Sequence, residues 1–289
     1  MHIAVLGTGL MGAPMVRRLA DAGHVLHVWN RSAEGSAPLA QIAKVHPSAA
    51  SAVVDTEIVI SMLLDGPVTK LVLDGQGVID NMAHGSILID MASVEPDTDQ
   101  GLAAQAMERG VNYLDAPVSG GVVGATEGTL SIFVGGEVAI LARALPVLNL
   151  LGRPTHVGPL GAGQTVKLAN QLIVGATIAA VSEGLRLAEA AGCDTGTVRT
   201  ALQGGFADSR ILDLHGARMV SGDFTPGARS AVQLKDLNNA LKFAQAQGLD
   251  LPLSQTAQEG YRSLVEDHSG AELDHAAYFK WLKLRDGSR

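Results

Sequence analysis

The chain has 289 residues, 47% hydrophobic and 17% charged, with a formal net charge of −8. That length suits one large or two modest domains, and the apolar share excludes disorder as the main state. The acidic balance argues against a nucleic-acid or anionic-membrane binder, and the single cysteine, Cys193, excludes an internal disulfide and a cysteine-rich metal site. One thiol and no positively charged leader ahead of the first apolar run lead us to expect a cytoplasmic enzyme. Residues 3–12 read Ile-Ala-Val-Leu-Gly-Thr-Gly-Leu-Met-Gly, an apolar run that ends in a Gly-x-Gly-x-x-Gly turn, and residues 13–20 continue as a helix. In this strand–turn–helix setting Gly7 permits the tight turn, Gly9 lets the backbone approach a pyrophosphate, and Gly12 lets the helix lie close on the strand. The helix N-terminus offers free N–H groups to phosphate, so Gly7, Thr8, Gly9, Leu10, Met11 and Gly12 are expected to cradle NAD or NADP.

The second strand, 25–29, ends in Trp29-Asn30-Arg31-Ser32. An NAD-specific domain places an acidic side chain there to bind the ribose hydroxyls. Asn30 removes that carboxylate, Arg31 offers a forked cation to a 2′-phosphate, and Ser32 adds a hydroxyl, which predicts a preference for NADP(H) over NAD(H). Arg31 as an ordinary surface arginine stacked on adenine would tolerate both cofactors.

Further short apolar runs at 57–63, 86–90, 111–115, 130–134 and 155–157 read as strands, with helical stretches at 96–109 and 138–150 between them. Strands alternating with helices predict an α/β fold, a Rossmann-type doubly wound parallel sheet. From Gly163 onward apolar spacing turns helical, at 168–191, 198–202, 211–220, 232–246 and 254–265. The expected organisation is a nucleotide-binding domain over 1–161 and an all-α C-terminal domain over 162–289. A proline-free interdomain helix starting near 163 joins the two. The apolar stretch 168–181 carries Asn170, Gln171 and Thr177, too short and too polar for a membrane span. A helix this apolar calls for a partner surface, so a homodimer or homotetramer is expected.

Three segments bear chemistry. Asp115-Ala116-Pro117-Val118-Ser119-Gly120-Gly121 follows a predicted strand, where open α/β folds bind ligands. Ser119 offers a hydroxyl, and Gly120 and Gly121 offer unobstructed N–H groups suited to a substrate carboxylate; the residues alone read equally well as a simple turn. In 161–171 (Gly-Ala-Gly-Gln-Thr-Val-Lys-Leu-Ala-Asn-Gln), Lys167 is followed by amides three and four positions later, all on one helix face. A lysine near a helix N-terminus is mismatched with the dipole, and with partial burial its pKa is expected to fall into the range of a general acid/base. Lys235-Asp236-Leu237-Asn238-Asn239 alone reads as a solvated helix face.

Taken together, the segments GTGLMGAPM at 7–15, DAPVSGG at 115–121, GAGQTVKLANQ at 161–171 and the Lys235-Asp236 pair resemble the β-hydroxyacid dehydrogenase family over essentially the whole chain. The resemblance is greatest to its 2-hydroxy-3-oxopropionate (tartronate semialdehyde) reductase branch, a sibling of the 3-hydroxyisobutyrate dehydrogenases. It implies an NAD(P)-dependent oxidoreductase that interconverts a small hydroxyacid and its semialdehyde. Lys167 would be the acid/base, Ser119, Gly120, Gly121 and Asp236 would bind substrate, and Lys235 and Ser93 would contact the cofactor. The loop Met62-Leu63-Leu64 would cover the nucleotide, although the family often has proline where Leu64 stands. Many members carry the substrate-binding asparagine four residues after the lysine, where this chain has Gln171; Asn170 is our first choice for that role and Gln171 the second.

The implied chemistry needs no metal. His24, His27, His46 and His215 are scattered without ligand spacing. Negative charge that develops on the carbonyl oxygen would be met by Lys167, with Asn170 or Gln171 adding a hydrogen bond. Two alternatives share the glycine turn: an imine reductase of the same fold, where a lysine at this position is unusual, and a non-catalytic NADP-binding module, which would not retain Ser119, Lys167 and Asp236 together.

Overall fold

Strand β1 (His2–Leu6) is buried on both faces, with Ile3, Ala4, Val5 and Leu6 all inaccessible to solvent. That is the pattern of a strand held between two helical layers. In the computed structural model, which describes residues 1–287, the chain continues through α1 (Gly12–Asp21), β2 (Val25–Trp29), α2 (Ala33–Ser36), β3 (Lys44–Val45), α3 (Ala49–Ala52) and β4 (Ile58–Ser61). Next come α4 (Gly66–Lys70), α5 (Val78–Asn81), β5 (Ile87–Asp90), α6 (Pro96–Glu108) and β6 (Asn112–Asp115). The first half closes with β7 (Val118–Ser119), α7 (Gly121–Glu127), β8 (Leu130–Gly135), α8 (Val138–Leu151) and β9 (Gly152–Gly158).

The strands form one sheet in the order β3-β2-β1-β4-β5-β6-β8-β7, with β9 added beside β8. The six strands from β3 to β6 are parallel, the doubly wound arrangement expected. The far edge departs from an all-parallel sheet: β8 runs antiparallel to both β6 and β7, and β9 follows β8. The seven-residue α7 is too short for a parallel crossover, so β8 returns in the opposite direction. Alternate residues feed two cores. Ile3, Val5, Ile58 and Ile60 pack with Met15 and Leu19 of α1 on one face, whereas Ala4, Leu6, Val59 and Leu88 pack with Leu102 of α6 on the other.

The second half is helical: α9 (Ala162–Ala190), α10 (Thr195–Leu202), α11 (Arg210–Ser221), α12 (Ser230–Ala246), α13 (Pro252–Glu266) and α14 (Tyr278–Gly287). Ile178, Leu185, Leu237, Tyr261, Leu264 and Trp281 share its core. The chain divides into two compact units, Met1–Lys167 and Leu168–Arg289, with the division falling inside α9. By length and composition α9 could cross a membrane, with mean hydropathy 1.3 in its most apolar window. It reaches well beyond the 168–181 stretch judged too short to span. A core helix meets the same criterion, and Ile178, Ser182 and Leu185 of α9 are buried in the second unit.

Candidate active site

The turn between β1 and α1 is built on close backbone approach. A Cβ on Gly12 would collide with the Gly7 carbonyl oxygen, and Gly7, at φ +94°, would drive one into the Met62 carbonyl oxygen. Gly9 differs: nothing lies within 4 Å of where its Cβ would stand. Helix α1 then begins without a side-chain cap and without an acidic residue in its first turn, so its orphan N–H groups face no competing anion. A crowded base, an open central glycine and an uncapped helix fit the pyrophosphate of a dinucleotide.

Asn30, just past β2, joins this turn directly. Its Oδ1 accepts from the Thr8 main-chain N–H at 3.1 Å, and its Nδ2 donates to the carbonyl of Ser32 at 3.0 Å and to Ser32 Oγ at 3.1 Å. Thr8 is buried and its hydroxyl donates to the Gly35 carbonyl at 2.9 Å. The asparagine is more than a missing carboxylate. It is also a brace, and an aspartate could not make both donations. Arg31 and Ser32 are exposed beside it. After β4, Met62 and Leu63 are half-buried, Leu64 is exposed, and Asp65 caps α4 by accepting from Val68 N–H at 2.9 Å. Ser93 is half-buried just past the carboxyl end of β5. Ser119 pairs with Ser131 across β7 and β8, and the backbone then turns through Gly120 (φ +137°) and Gly121 (φ +62°), both exposed.

Beneath these loops lies a polar network to which the sequence alone assigns no role. Asp90 and Asp115 are the last residues of β5 and β6 and sit opposite each other in register. Asp115 accepts from the main-chain N–H groups of Gly161 and Gln164, each at 2.9 Å, and so caps α9. The Gln164 side chain is fully buried. Its Oε1 accepts from Val94 N–H at 3.2 Å, and its Nε2 donates to the Ala92 carbonyl at 2.9 Å and to Asp99 Oδ2 at 2.8 Å. Tyr113 donates to Asp99 Oδ1 at 2.6 Å. Burial raises the Asp90 carboxyl to about 6, and burial together with the Asp90 charge holds Asp99 well above the ordinary carboxylate range. Asp115 is also raised by burial, against the pull of its main-chain donors. A signal for this network is present in the sequence: two predicted strands each end in aspartate, and Gln164 precedes Lys167 by one helical turn.

In the helical unit, Gln171 Nε2 donates to Asp236 Oδ2 at 2.6 Å, and Asn170 Nδ2 donates to Gln171 Oε1 at 2.8 Å. Lys235 Nζ pairs with Asp236 Oδ1 at 3.2 Å. Gln233, which no sequence motif singles out, donates from Nε2 to the Gln171 carbonyl at 3.1 Å. The buried Asp236 therefore stands between an amide on α9 and a lysine on its own helix. The stretch 235–239 is not a purely solvated face, because Asp236 and Leu237 are buried. Half-buried Lys167 lies one turn before Asn170 and Gln171 on α9.

Histidines that show no ligand spacing in sequence do gather in space. His215, Asp274 and His275 bring ligand atoms within 4.8 Å of one another. The Asp274 oxygens are committed elsewhere, accepting from Gly227 N–H at 2.9 Å, Ala228 N–H at 3.2 Å and Ala276 N–H at 3.0 Å, with Arg218 at 3.8 Å. Burial would raise this carboxyl, but the His215 hydrogen bond, the His275 charge and the main-chain donors hold it far below its usual range. A carboxylate so occupied, beside an arginine, reads as a brace for the turn at 227–230.

A doubly wound sheet with a glycine turn at its first crossover, followed by a helical unit with a lysine–amide–carboxylate set, defines a nicotinamide-dependent oxidoreductase. Residues 2–163 match the model for the NAD binding domain of 6-phosphogluconate dehydrogenase, and residues 161–282 match that for the NAD-binding of NADP-dependent 3-hydroxyisobutyrate dehydrogenase. The chain belongs to the 3-hydroxyisobutyrate dehydrogenase-like family of NAD(P)-dependent hydroxyacid dehydrogenases. It is 44% identical over 286 residues to the 2-hydroxy-3-oxopropionate reductase of Escherichia coli K12, covering 98% of each chain. A solved 3-hydroxyisobutyrate dehydrogenase of Mycobacterium tuberculosis with L-serine superposes at a TM-score of 0.89 and 31% identity, over 97% of this chain and 98% of that one. The structure of Psf3 in complex with NADP+ and 2-OPP gives 0.89 at 26% identity, over 97% of this chain and 99% of that one.

Proposed function

We propose that this chain reduces 2-hydroxy-3-oxopropionate, or a closely similar small carboxylated aldehyde, to the hydroxyacid with NADPH, and catalyses the reverse with NADP+. The observation that carries this reading is the set on α9: Lys167, Asn170 and Gln171 at helical spacing, with Gln171 bonded to Asp236. In this reading residues 1–161 are the nucleotide-binding domain and 162–289 the helical domain. The residues that hold the cofactor are the turn Gly7–Gly12, then Asn30, Arg31 and Ser32, the loop Met62–Leu64, Ser93 and Lys235. Bound NADPH supplies a hydride to the aldehyde carbon.

As charge grows on the carbonyl oxygen, protonated Lys167 stabilises it and donates its proton. Asn170 or Gln171 adds a hydrogen bond to the same oxygen. Asp236, by accepting from Gln171 Nε2, fixes which way that carboxamide points. Ser119, Gly120 and Gly121 bind the substrate carboxylate through a hydroxyl and exposed backbone, and so select the face of the aldehyde that reacts. Ala169, Ile173, Ala180 and Leu187 recur along one exposed face of α9, with Ile173 at 67% and Leu187 at 74% exposure. We assign that face to a second copy of the chain in a homo-oligomer. A cytoplasmic setting suits the exposed thiol of Cys193.

The test is NADPH oxidation with 2-hydroxy-3-oxopropionate, succinic semialdehyde, glyoxylate and a cyclic imine assayed in parallel. The highest kcat/KM is expected with 2-hydroxy-3-oxopropionate. Turnover of the imine alone would replace this reading with the imine reductase one.

A further inference from the structure

Lys167 is carried on a helix whose first turn is clamped from three sides within the nucleotide-binding unit. Asp115 takes the main-chain N–H groups of Gly161 and Gln164, which fixes the height at which α9 begins. Gly163 lies so close to the sheet that a Cβ there would collide with the Phe133 carbonyl oxygen and approach the Asp115 carbonyl oxygen to 2.7 Å. Both contacts act through main chain at the end of the helix. The Gln164 carboxamide adds a side-chain clamp to them. It is wholly buried and uses both ends, with Val94 N–H on Oε1 and the Ala92 carbonyl and Asp99 on Nε2. Residues three apart on a helix share a face, so the phase that seats Gln164 also sets the direction in which Lys167 leaves the helix.

From this geometry we infer that Gln164 is a positioning residue for the reaction: it fixes the rotational phase of α9 and thereby the placement of Lys167. Asp99 is the anchor that makes the phase unique. It accepts Gln164 on one oxygen and Tyr113 on the other, so a rotated helix would strand a buried acceptor. Placement matters steeply in proton transfer, where a displacement of about 1 Å can cost about a hundredfold in rate. The inference rests on the reading of Lys167 as the proton donor, and the experiment separates the two.

The experiment is a double-mutant cycle on the full-length enzyme with Gln164→Leu and Lys167→Ala, measuring kcat, substrate KM and cofactor Kd. Gln164→Leu alone is expected to lower kcat about tenfold to a hundredfold. In the Lys167→Ala background the same change is expected to cost less than about twofold, because there is no longer a proton donor to misplace. If Lys167→Ala lowers kcat by about 10² to 10⁴ but Gln164→Leu costs the same factor in both backgrounds, or costs nothing in the wild type, the positioning role is overturned and the Lys167 reading survives. If Lys167→Ala remains active, the reading itself fails and the inference falls with it. Should Gln164→Leu not fold, Gln164→Glu serves in its place. In that variant the protonated carboxyl keeps an acceptor for Val94 N–H and one donor, so kcat relative to wild type is expected to fall as pH rises. A purely structural role would lower thermal stability and leave that relative pH profile flat.

Discussion

The Thr8 main-chain N–H donates to Asn30 Oδ1 at 3.1 Å, so one carboxamide joins the glycine turn to the end of β2, the two places where our proposal puts the phosphates and the adenosine ribose. Its other end holds Ser32, whose hydroxyl and carbonyl both accept from Asn30 Nδ2. In the proposed reading, specificity for the 2′ position and the shape of the glycine turn depend on the same side chain. A carboxylate at this position could still receive Thr8 but would repel the Ser32 carbonyl and the 2′-phosphate alike.

The cofactor prediction follows. Wild-type kcat/KM is expected to be higher with NADPH than with NADH. Arg31→Ala should lower the NADPH/NADH ratio about tenfold to a hundredfold, the cost of one charge-assisted pair. Asn30→Asp should lower it in the same direction and also reduce thermal stability, since two donations to Ser32 are lost. A wild-type enzyme that favours NADH, or an Arg31→Ala variant with an unchanged ratio, would refute the assignment.

For Lys167, replacement by Ala should reduce kcat by about 10² to 10⁴, the usual range for a lost general acid, with little change in cofactor Kd. Retention of more than about a tenth of kcat would remove Lys167 from the proton-transfer step.

Asp90 gives a pH dependence whose sign is fixed by burial. Its folded carboxyl titrates near 6, above the ordinary 3.8, so the folded protein holds this proton more tightly than the unfolded chain does. The associated stability is complete below about pH 4 and is lost as pH rises through about 6. Asp90→Asn keeps an oxygen for Ala92 N–H, a 3.2 Å contact in the wild type, and cannot ionise. Its melting temperature relative to wild type should therefore increase between about pH 4 and pH 7, by an amount reflecting a few kcal/mol. A difference that is flat or falls over that range would show that Asp90 does not titrate as its burial requires.

Local pattern carried most of the fold. The glycine turn, the parallel strands and the long helix each announce themselves within a few residues, through period-2 or helical spacing. The expected strands at 57–63 and 111–115 are Ile58–Ser61 and Asn112–Asp115, trimmed at their ends where loops take over. Two-residue strands such as Lys44–Val45 and Val118–Ser119 have no period to read, and their pairing comes only from neighbours. The C-terminal helix Tyr278–Gly287 shows no clear apolar period, because aromatic and charged residues crowd it. It packs on α13 through Tyr278 and Tyr261, whose ring centroids lie 5.0 Å apart, and within the helix Tyr278 stands against Trp281 at 4.8 Å. The candidate site was legible where one helix carries it, as with Lys167, Asn170 and Gln171. It was not legible where register or packing assembles it: Asp90 faces Asp115 only through strand pairing, and Gln171 meets Asp236 from 65 residues away.

The last prediction distinguishes the two amides. Gln171 is engaged at both ends, donating to Asp236 at 2.6 Å and accepting from Asn170 at 2.8 Å, and its own carbonyl accepts from Gln233. Removing its side chain strips a donor from Asp236, which is only 2% exposed. A hydrogen bond to a charged group is worth about 1.5–3 kcal/mol, so Gln171→Ala should lose both stability and activity. Asn170 is half-buried, and its side-chain donation goes to Gln171, whose other partners remain when Asn170 is shortened. Asn170→Ala should therefore melt close to wild type while kcat/KM for the aldehyde falls at least about tenfold, the loss of one hydrogen bond to a developing charge. Thermal melts and steady-state kinetics on the two variants decide the matter. If Asn170→Ala keeps wild-type kcat/KM, the substrate contact passes to Gln171, and Asn170 serves only to orient it.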